Sequence, residues 1–317
     1  MIDNFGRKIE YMRISVTDRC NLKCRYCMPH GIKKIPMRDI LTYEEIISIA
    51  EAAVDLGINR FKLTGGEPLA RKDIGTLVEG LKGIPGTEEV TLTTNGVMLM
   101  DHLDELIEAG LNGVNISIQS TDSDRYGGIT GGGDLEKVLR AIVAASRSPL
   151  KVKLNCVLHR DIEDEDVTGL IELASANNVD IRFIEMMPIG MGKSWRGMDR
   201  EKVVRVIEDE FGKLEPLDGR RGNGPARYYG LPGKDIAVGF ILALSEGFCE
   251  ECNRVRLDSK GKLRPCLGYS EGTDLKPYLK AGKAELREAM RKAVLEKPER
   301  HCFSERDTSD NMISIGG

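Results

Sequence analysis

The sequence predicts an α/β fold: an incomplete (β/α)6 barrel of the TIM type, followed by an irregular C-terminal region. Short apolar strands alternate with amphipathic helices six times, which is typical of a parallel sheet. Six such units in series favour a partial barrel over an open doubly wound sheet. After residue 211 the alternation stops and a stretch rich in Gly and Arg begins, so we expect two domains, at residues 1–212 and 213–317.

Each predicted unit is a strand and the helix that follows it. Residues 11–17 indicate a strand, and residues 43–56 show helical apolar spacing behind Thr42, a residue type that caps helices. The pattern recurs in five further strand and helix pairs, at residues 60–63 and 74–81, 89–93 and 102–109, 113–118 and 135–146, 151–158 and 164–176, and 180–184 and 200–211. Strand-like pieces follow at residues 227–229, 236–240 and 253–257.

The composition is that of a globular protein. The 317 residues include 46 basic and 50 acidic side chains, a net charge of −4, which argues against a general binder of nucleic-acid polymers or membrane surfaces. No apolar run approaches the ~18 residues that span a bilayer, and the first residues lack the apolar stretch of a signal peptide. We therefore expect a cytoplasmic protein, in which disulfides are rare and the eight cysteines need another explanation.

Three cysteines, Cys20, Cys24 and Cys27, lie within eight residues directly after the first predicted strand. Thiolates this close repel one another unless they share a cation. A structural zinc site usually has CxxC pairs with a fourth Cys or His, whereas the spacing CxxxCxxC supplies three ligands. Three ligands to a four-iron cluster leave one iron open, so the spacing favours an iron–sulfur cluster over zinc.

The string CNLKCRYC at residues 20–27 resembles the defining loop of the radical S-adenosylmethionine enzymes, in which an aromatic residue, here Tyr26, precedes the last cysteine. The string TGGEP at residues 64–68 is similar to the GGEP motif of that superfamily. The resemblance implies that Gly66 and Glu67 bind the amino group of the methionine. Glycines let backbone carbonyls approach a small cation, and a carboxylate complements its charge. Taken alone, the string also fits a tight turn between a strand and a helix.

A second group, Cys249, Cys252 and Cys266, lies in the string FCEECNRVRLDSKGKLRPCL at residues 248–267. A zinc ribbon needs a fourth ligand, and neither His301 nor Cys302 has an obvious position for it. The string is similar to the C-terminal signature of the molybdenum cofactor biosynthesis protein A family, the GTP 3′,8-cyclases. The last residues, SIGG, match the double-glycine tail of that family. The resemblance extends from Arg13 to Gly317 and implies a second [4Fe-4S] cluster whose open iron holds the guanine of GTP.

The same resemblance implies contacts to GTP and to S-adenosylmethionine. Arg13 stands seven residues before the first cysteine, where the family has an arginine that contacts GTP. Lys62 stands where the family commonly has an arginine on the triphosphate, and it keeps the charge without the bidentate fork. The remaining implied contacts are Thr93 and Lys153 to GTP, and Tyr26, Ser117 and Met187 to S-adenosylmethionine. Taken alone, Arg13 also fits an outward-facing strand charge and Met187 a core residue.

Arg254 and Arg256 flank Val255, so on a strand the two arginines point to one face. Paired arginines favour an anion such as a triphosphate, and we expect all three residues to contact GTP, with a solvated basic edge as the alternative. Except for Arg13 and Lys153, the implied contacts lie at or beyond the C-terminal half of a predicted strand, the catalytic face of such barrels. Residues 117–120 read SIQS where relatives commonly have SLDS, so no role of that aspartate is carried over.

The resemblance implies radical chemistry divided between two [4Fe-4S] clusters. The first cluster cleaves S-adenosylmethionine to a 5′-deoxyadenosyl radical, which takes hydrogen from C3′ of GTP. The C3′ radical adds to guanine C8, and reduction gives 3′,8-cyclo-7,8-dihydro-GTP, in the first step of molybdenum cofactor biosynthesis. Gly316 and Gly317 are expected to enter the barrel and organise this chemistry, with a frayed terminus as the alternative.

The implied partners are GTP, a one-electron donor of the ferredoxin or flavodoxin type, and the next enzyme of the pathway, cyclic pyranopterin monophosphate synthase. A homodimer is a possible assembly. Two other classes of protein stay open: a peptide-modifying radical enzyme with an auxiliary cluster, and a non-enzymatic iron–sulfur carrier or zinc scaffold. The NRVR string and the GG tail argue against the first, and the second needs neither a GGEP motif nor a barrel.

Overall fold

The computed structural model describes residues 1–28, 30–31, 35–195, 197–219 and 221–303. Its centre is a run of six parallel strands: β1 (Tyr11–Ser15), β2 (Arg60–Thr64), β3 (Glu89–Thr94), β4 (Gly113–Ser117), β5 (Lys151–Leu158) and β6 (Asp180–Glu185). The helices between and after them are α1 (Tyr43–Asp55), α2 (Ile74–Gly83), α3 (Leu99–Glu108), α4 (Ser123–Thr130), α5 (Leu135–Ser146), α6 (Asp164–Ala176) and α7 (Arg200–Phe211). The six predicted pairs are confirmed, and the largest shift is at α3, which begins at Leu99 rather than at residue 102.

Local sequence explains why these elements form. Thr42 caps α1: its hydroxyl accepts a hydrogen bond from the Glu45 amide, and the Glu45 carboxylate accepts one from the Thr42 amide. In the strands, side chains alternate between two faces. On β2, Phe61 and Leu63 are buried in the core against the helices, whereas Lys62 points to the other face, into the interior. The outer face of the sheet therefore makes the hydrophobic core and the inner face is left for chemistry.

The C-terminal region does not form a sheet of its own. Its strands are β7 (Glu215–Pro216), β8 (Arg227–Leu231), β9 (Lys234–Ile241), β10 (Arg254–Leu257), β11 (Lys262–Arg264) and β12 (Thr273–Asp274), followed by α8 (Lys276–Ala281) and α9 (Lys283–Leu295). Strand β9 pairs in parallel with β6, and β10 pairs in parallel with β1. The C-terminal strands thus extend both edges of the six-stranded sheet.

In the described part of the chain, the strand order is β12-β11-β10-β1-β2-β3-β4-β5-β6-β9-β8-β7. The predicted fold class, an α/β fold with a mostly parallel sheet and a C-terminal addition, is confirmed. The sequence did not indicate that the added strands continue this sheet. The boundary between residues 212 and 213 stays a prediction. None of the described helices has the length and apolar character to cross a membrane.

Candidate active site

The inner face of the sheet encloses a cavity of about 810 Å³. Both cysteine groups line it: the first triad, Cys20, Cys24 and Cys27, and the second triad, Cys249, Cys252 and Cys266. The other predicted contacts that line it are Arg13, Tyr26, Lys62, Gly66, Glu67, Thr93, Ser117, Lys153, Met187, Arg254 and Arg256. Residues separated by more than 200 positions in sequence therefore share one space.

The first triad lies in the loop after β1. The Cys24 carbonyl accepts a hydrogen bond from the Cys27 amide at 3.0 Å, which closes a turn around the second and third cysteines. The amides of Lys23 and Arg25 donate to carbonyls of residues 129–130, at the C-terminal end of α4. Helix α4, which the sequence analysis did not predict, thus holds the cysteine loop in place.

Burial has the largest effect on the pKa values of the first triad. It raises the pKa of Cys20 to about 11 and the pKa of Cys24 and Cys27 to about 12, with neighbouring cysteines adding to the rise at Cys24 and Cys27. Three buried thiols become thiolates only when a positive group compensates their charge. The triad therefore suits an iron cluster, whose iron supplies that charge. Among the described residues, no three His, Cys, Asp or Glu side chains meet at the position of one single metal ion.

The turn after β2 packs directly against the cysteine loop. The amides of Gly66 and Glu67 donate hydrogen bonds of 2.8 Å to the carbonyls of Thr17 and Arg19. A Cβ at Gly65 would lie 2.5 Å from the Thr17 carbonyl oxygen, and one at Gly66 would lie 2.6 Å from the carbonyl carbon of Arg19. Both glycines are needed because the two loops approach closer than any side chain allows.

Glu67 is 1% exposed and faces the cavity. One carboxylate oxygen accepts hydrogen bonds from the Thr94 hydroxyl at 2.7 Å and the Leu69 amide at 3.1 Å, and the other accepts one from the Asn95 amide at 2.7 Å. Burial nevertheless raises the pKa of Glu67 to about 7, because desolvation outweighs these bonds. A cationic ammonium group beside it would remove this cost, so the site fits the amino group of S-adenosylmethionine.

Tyr26 is held from two sides. Its ring stacks on that of buried His159, with centroids 5.0 Å apart and an interplanar angle of 12°. The Gln119 side-chain amide donates to the Tyr26 hydroxyl at 3.0 Å, and its oxygen accepts from the Val157 amide at 3.0 Å. Gln119 thus joins the cysteine loop to β5. Ser117, at the end of β4, lines the same cavity.

Three cations lie side by side across neighbouring strands. Arg13 on β1 pairs in register with Arg256 on β10 and with Lys62 on β2, all three on the inner face. Adjacent strands are ~4.8 Å apart, so these charges stand close together. Burial, and then nearby cations that include Arg13, hold the pKa of Lys62 well below its usual range. An anion bound here would be stabilised by all three.

Lys153 on β5 also lines the cavity and has an acidic partner. Its Nζ lies 3.3 Å from a carboxylate oxygen of Asp180 and donates to the Tyr228 hydroxyl at 3.0 Å and to the Arg221 carbonyl. Asp180 also accepts two hydrogen bonds from the Arg221 guanidinium, at 3.1 and 3.0 Å. Residues 221–225 line the cavity beside this network. Thr93, two strands away, accepts a hydrogen bond of 3.4 Å from Asn115.

The second triad is carried by the hairpin of β10 and β11. Cys252 lies two residues before β10, and Cys266 lies two residues after β11, so antiparallel pairing brings both to the same end. Burial favours a raised pKa at both thiols. At Cys252 the charges of Lys297 and Arg254 outweigh it and lower the pKa to about 7. This thiol readily becomes a ligand anion, which fits an iron cluster at the hairpin end.

Val255 and the two C-terminal glycines are the predicted site residues that are not among those lining the cavity. The side chain of Val255 is 1% exposed and belongs to the hydrophobic core, on the face opposite Arg254 and Arg256, so it does not line the cavity. Strand alternation turns this side chain outward, so the expected contact of Val255 with GTP stays a prediction that its side chain does not support. Gly316 and Gly317 lie outside the described residues.

Sequence reasoning missed two cations that face the cavity. Arg182, on β6, lines the cavity and donates to the Asn155 side chain at 2.9 Å. A charged residue between the apolar residues Ile181 and Phe183 of a strand is a signal that could have found it. Lys297, which follows α9, is only 3% exposed and lines the cavity beside the second triad.

Comparisons with known proteins agree with this arrangement. Residues 14–174 match the family model of the Radical SAM superfamily, and residues 179–303 match that of Molybdenum Cofactor Synthesis C. A crystal structure of Streptococcus suis SuiB bound to S-adenosylmethionine has the same fold, with a TM-score of 0.63 and 15% identity over 93% of this chain and 73% of that one. The chain is a member of the Radical SAM superfamily.

Curated relatives show which family within this superfamily the chain belongs to. A GTP 3′,8-cyclase of Clostridium perfringens is 40% identical over 323 residues, and one of Alkaliphilus oremlandii is 42% identical over 322 residues. Each alignment covers 100% of this chain and 100% of the relative. The chain therefore belongs to the GTP 3′,8-cyclase family, as its two cysteine motifs indicated.

Proposed function

We propose that the chain converts GTP to 3′,8-cyclo-7,8-dihydro-GTP in the first step of molybdenum cofactor biosynthesis. The observation that carries this proposal is that one cavity is lined by both cysteine triads and by a row of cations between them. The names of relatives that are 40% and 42% identical over their full length support the same reaction.

The chain uses two [4Fe-4S] clusters and S-adenosylmethionine, a cofactor set that membership of the family supports. The thiolates of the first and the second triad would each hold one cluster, and Tyr26, Gly66, Glu67, Ser117 and Met187 would surround S-adenosylmethionine. When bound, these groups supply a one-electron reduction and the hydrogen-atom abstraction that starts the reaction. The buried walls of the cavity exclude water from it.

The cations on the inner face would bind the substrate. Arg13, Lys62 and Arg256 are already desolvated in the folded chain, so a triphosphate gains charge-assisted hydrogen bonds with little further loss of hydration. The buried Nε of Arg254 has no hydrogen-bond partner among the described residues, and an anion would supply one. Lys153 and Thr93, which line the same cavity, would complete the contacts.

We further propose the partners that the family resemblance implies. A protein of the ferredoxin or flavodoxin type would supply the electron, and cyclic pyranopterin monophosphate synthase would take the product. The reaction would take place in the cytoplasm, and a homodimer is a candidate assembly.

An anaerobic turnover assay with GTP tests the proposal. The reconstituted chain should hold roughly eight irons and yield the cyclised nucleotide, identified by mass. Cys24→Ala should keep the second cluster and lose cleavage of S-adenosylmethionine. Cys252→Ala should keep the first cluster and lose the cyclised product. Zinc at the second triad of native protein, or a modified peptide as the only product, would contradict the proposal.

A further inference from the structure

Lys297 is a buried cation whose charge the proposed reaction does not use. It directly follows the end of α9, where the Glu296 amide donates to the Lys292 carbonyl at 3.0 Å and the Lys297 amide donates to the Val294 carbonyl at 3.1 Å. Leu286, Met290 and Val294 bury one face of this helix in the core. The backbone at Lys297 is therefore fixed to the core of the fold, and the side chain extends from there to the cavity.

The Lys297 ammonium group spans the two strands that carry the second triad. Its Nζ donates to the Arg254 carbonyl at 3.0 Å and to the Pro265 carbonyl at 2.6 Å. Arg254 is two residues after Cys252, and Pro265 directly precedes Cys266. One cation thus holds the main chain beside two of the three cysteines.

Arg7 fixes the third cysteine and the segment after Lys297. Its guanidinium donates to the carbonyls of Cys249 at 3.0 Å, Glu299 at 2.9 Å and Pro298 at 2.7 Å, and to the buried carboxylate of Asp3 at 2.6 Å. Buried cations therefore hold the main chain at or near all three cysteines of the second triad: Arg7 at Cys249, and Lys297 near Cys252 and Cys266.

We propose that Lys297 is a positioning residue for the second cluster: it holds the chain at Cys252 and Cys266 and places a positive charge beside the cluster. The proposal rests on the proposed use of the second triad as a cluster site. Burying a lysine is costly unless its donors and charge are satisfied. The two carbonyls satisfy donors only, whereas a negatively charged thiolate cluster beside it also satisfies the charge.

The positive charge of Lys297 predicts the direction in which it shifts the reduction potential of the second cluster. Reduction adds negative charge, so a nearby ammonium group favours the reduced form and raises the reduction potential. Removing the charge should lower the potential, and removing the two carbonyl bonds should loosen the ligands. A lysine that only holds the hairpin together would affect how firmly the ligands hold the cluster, and it would not affect the reduction potential.

The test uses Lys297→Met, Lys297→Arg and the control Lys292→Met, which changes an exposed lysine of α9 (66% exposed side chain). Each is made in the whole chain and also in the Cys24→Ala chain, where the second triad is the remaining cluster site. Two properties are measured after anaerobic reconstitution: the rate at which a chelator removes iron, and the midpoint potential from an EPR-monitored titration.

We expect Lys297→Met to lose the second cluster at least tenfold faster and to shift its redox equilibrium about tenfold toward the oxidised form, which is ~59 mV for a one-electron couple. Lys297→Arg should keep the potential while losing iron faster than wild type, and Lys292→Met should match wild type. A wild-type potential in Lys297→Met, or in Lys297→Arg a shift as large as in Lys297→Met, would overturn the inference. Should Lys297→Met not fold, Lys297→Gln, which removes the charge but keeps hydrogen-bond donors, takes its place with the same expected shift, and a wild-type potential in that variant would overturn the inference. A wild-type chain without iron at the second triad would instead overturn the proposed function.

Discussion

Gly66→Ala tests the contact between the two cofactor loops. The new Cβ would lie 2.6 Å from the carbonyl carbon of Arg19, so this backbone must move away. Overpacking of this kind costs ~1–3 kcal/mol, and the hydrogen bond from the Glu67 amide to the Arg19 carbonyl is worth ~1 kcal/mol more. The total of ~2–4 kcal/mol corresponds to about 30- to 900-fold in an equilibrium constant.

The displaced loop carries Cys20, so we expect the loss to appear at the first triad. The assay is affinity for S-adenosylmethionine, together with iron content and reductive cleavage, in anaerobically reconstituted protein. Iron at the second triad should stay at its wild-type level. Gly83→Ala is the matched control, because a Cβ at this position in α2 meets nothing within 4 Å and alanine favours a helix. Wild-type affinity and cleavage in Gly66→Ala would refute the steric argument.

Three further predictions concern cofactor binding, substrate binding and product formation. Because the pKa of Glu67 is raised to about 7 from 4.5, its proton stabilises the fold at low pH, and this contribution is lost as the pH rises through 7. Affinity for S-adenosylmethionine should rise as the pH rises through 7, because the ionised Glu67 carboxylate then pairs with the ammonium group of the cofactor. Glu67→Gln should remove this pH dependence, and an affinity that does not change with pH in the wild type would argue against the ion pair. Arg256→Met should weaken GTP binding by roughly 10- to 150-fold, from the ~1.5–3 kcal/mol of a charged hydrogen bond, with iron content unchanged. Calorimetry that shows equal GTP affinity would leave Arg256 a structural role only. Deleting Gly316 and Gly317, or adding a tag after them, should leave clusters and binding near normal but remove most product; full yield from an extended chain would refute that role.

The local part of the fold could be predicted from the sequence. Each strand and helix pair has its own apolar period, so α5, α6 and α7 begin and end where the pattern predicts. Helix α4 was missed because Gly127 and Gly128 lower its helix propensity by ~1 kcal/mol each. Its Asp122 cap and its bonds to the cysteine loop compensate. The sheet position of β9 and β10 depends on partners far away in sequence, which no local pattern encodes.

Some residues of the site could be predicted from local motifs, and others could not. Arg13 and Lys62 were found because they stand at fixed distances from cysteine and glycine motifs, although their adjacency follows only from the register of β1 and β2. Lys297 had no such signal, since a lysine followed by proline is common where a helix ends. Its importance depends on two carbonyls more than 30 residues earlier in the chain, and only the folded structure brings them together.

The pairing of β10 with β1 has a consequence for biosynthesis. Tyr11 leaves the ribosome early, but its partner Arg254 is made only when most of the chain has been synthesised. Until then the edge of β1 is exposed, and exposed strand edges recruit other chains. Domains tend to fold from the N-terminus during synthesis. A nascent or truncated chain that ends before β10 therefore has a nearly complete sheet, an open aggregation-prone edge and one wall of the cavity missing. The whole second triad cannot hold iron before Cys266 has been synthesised.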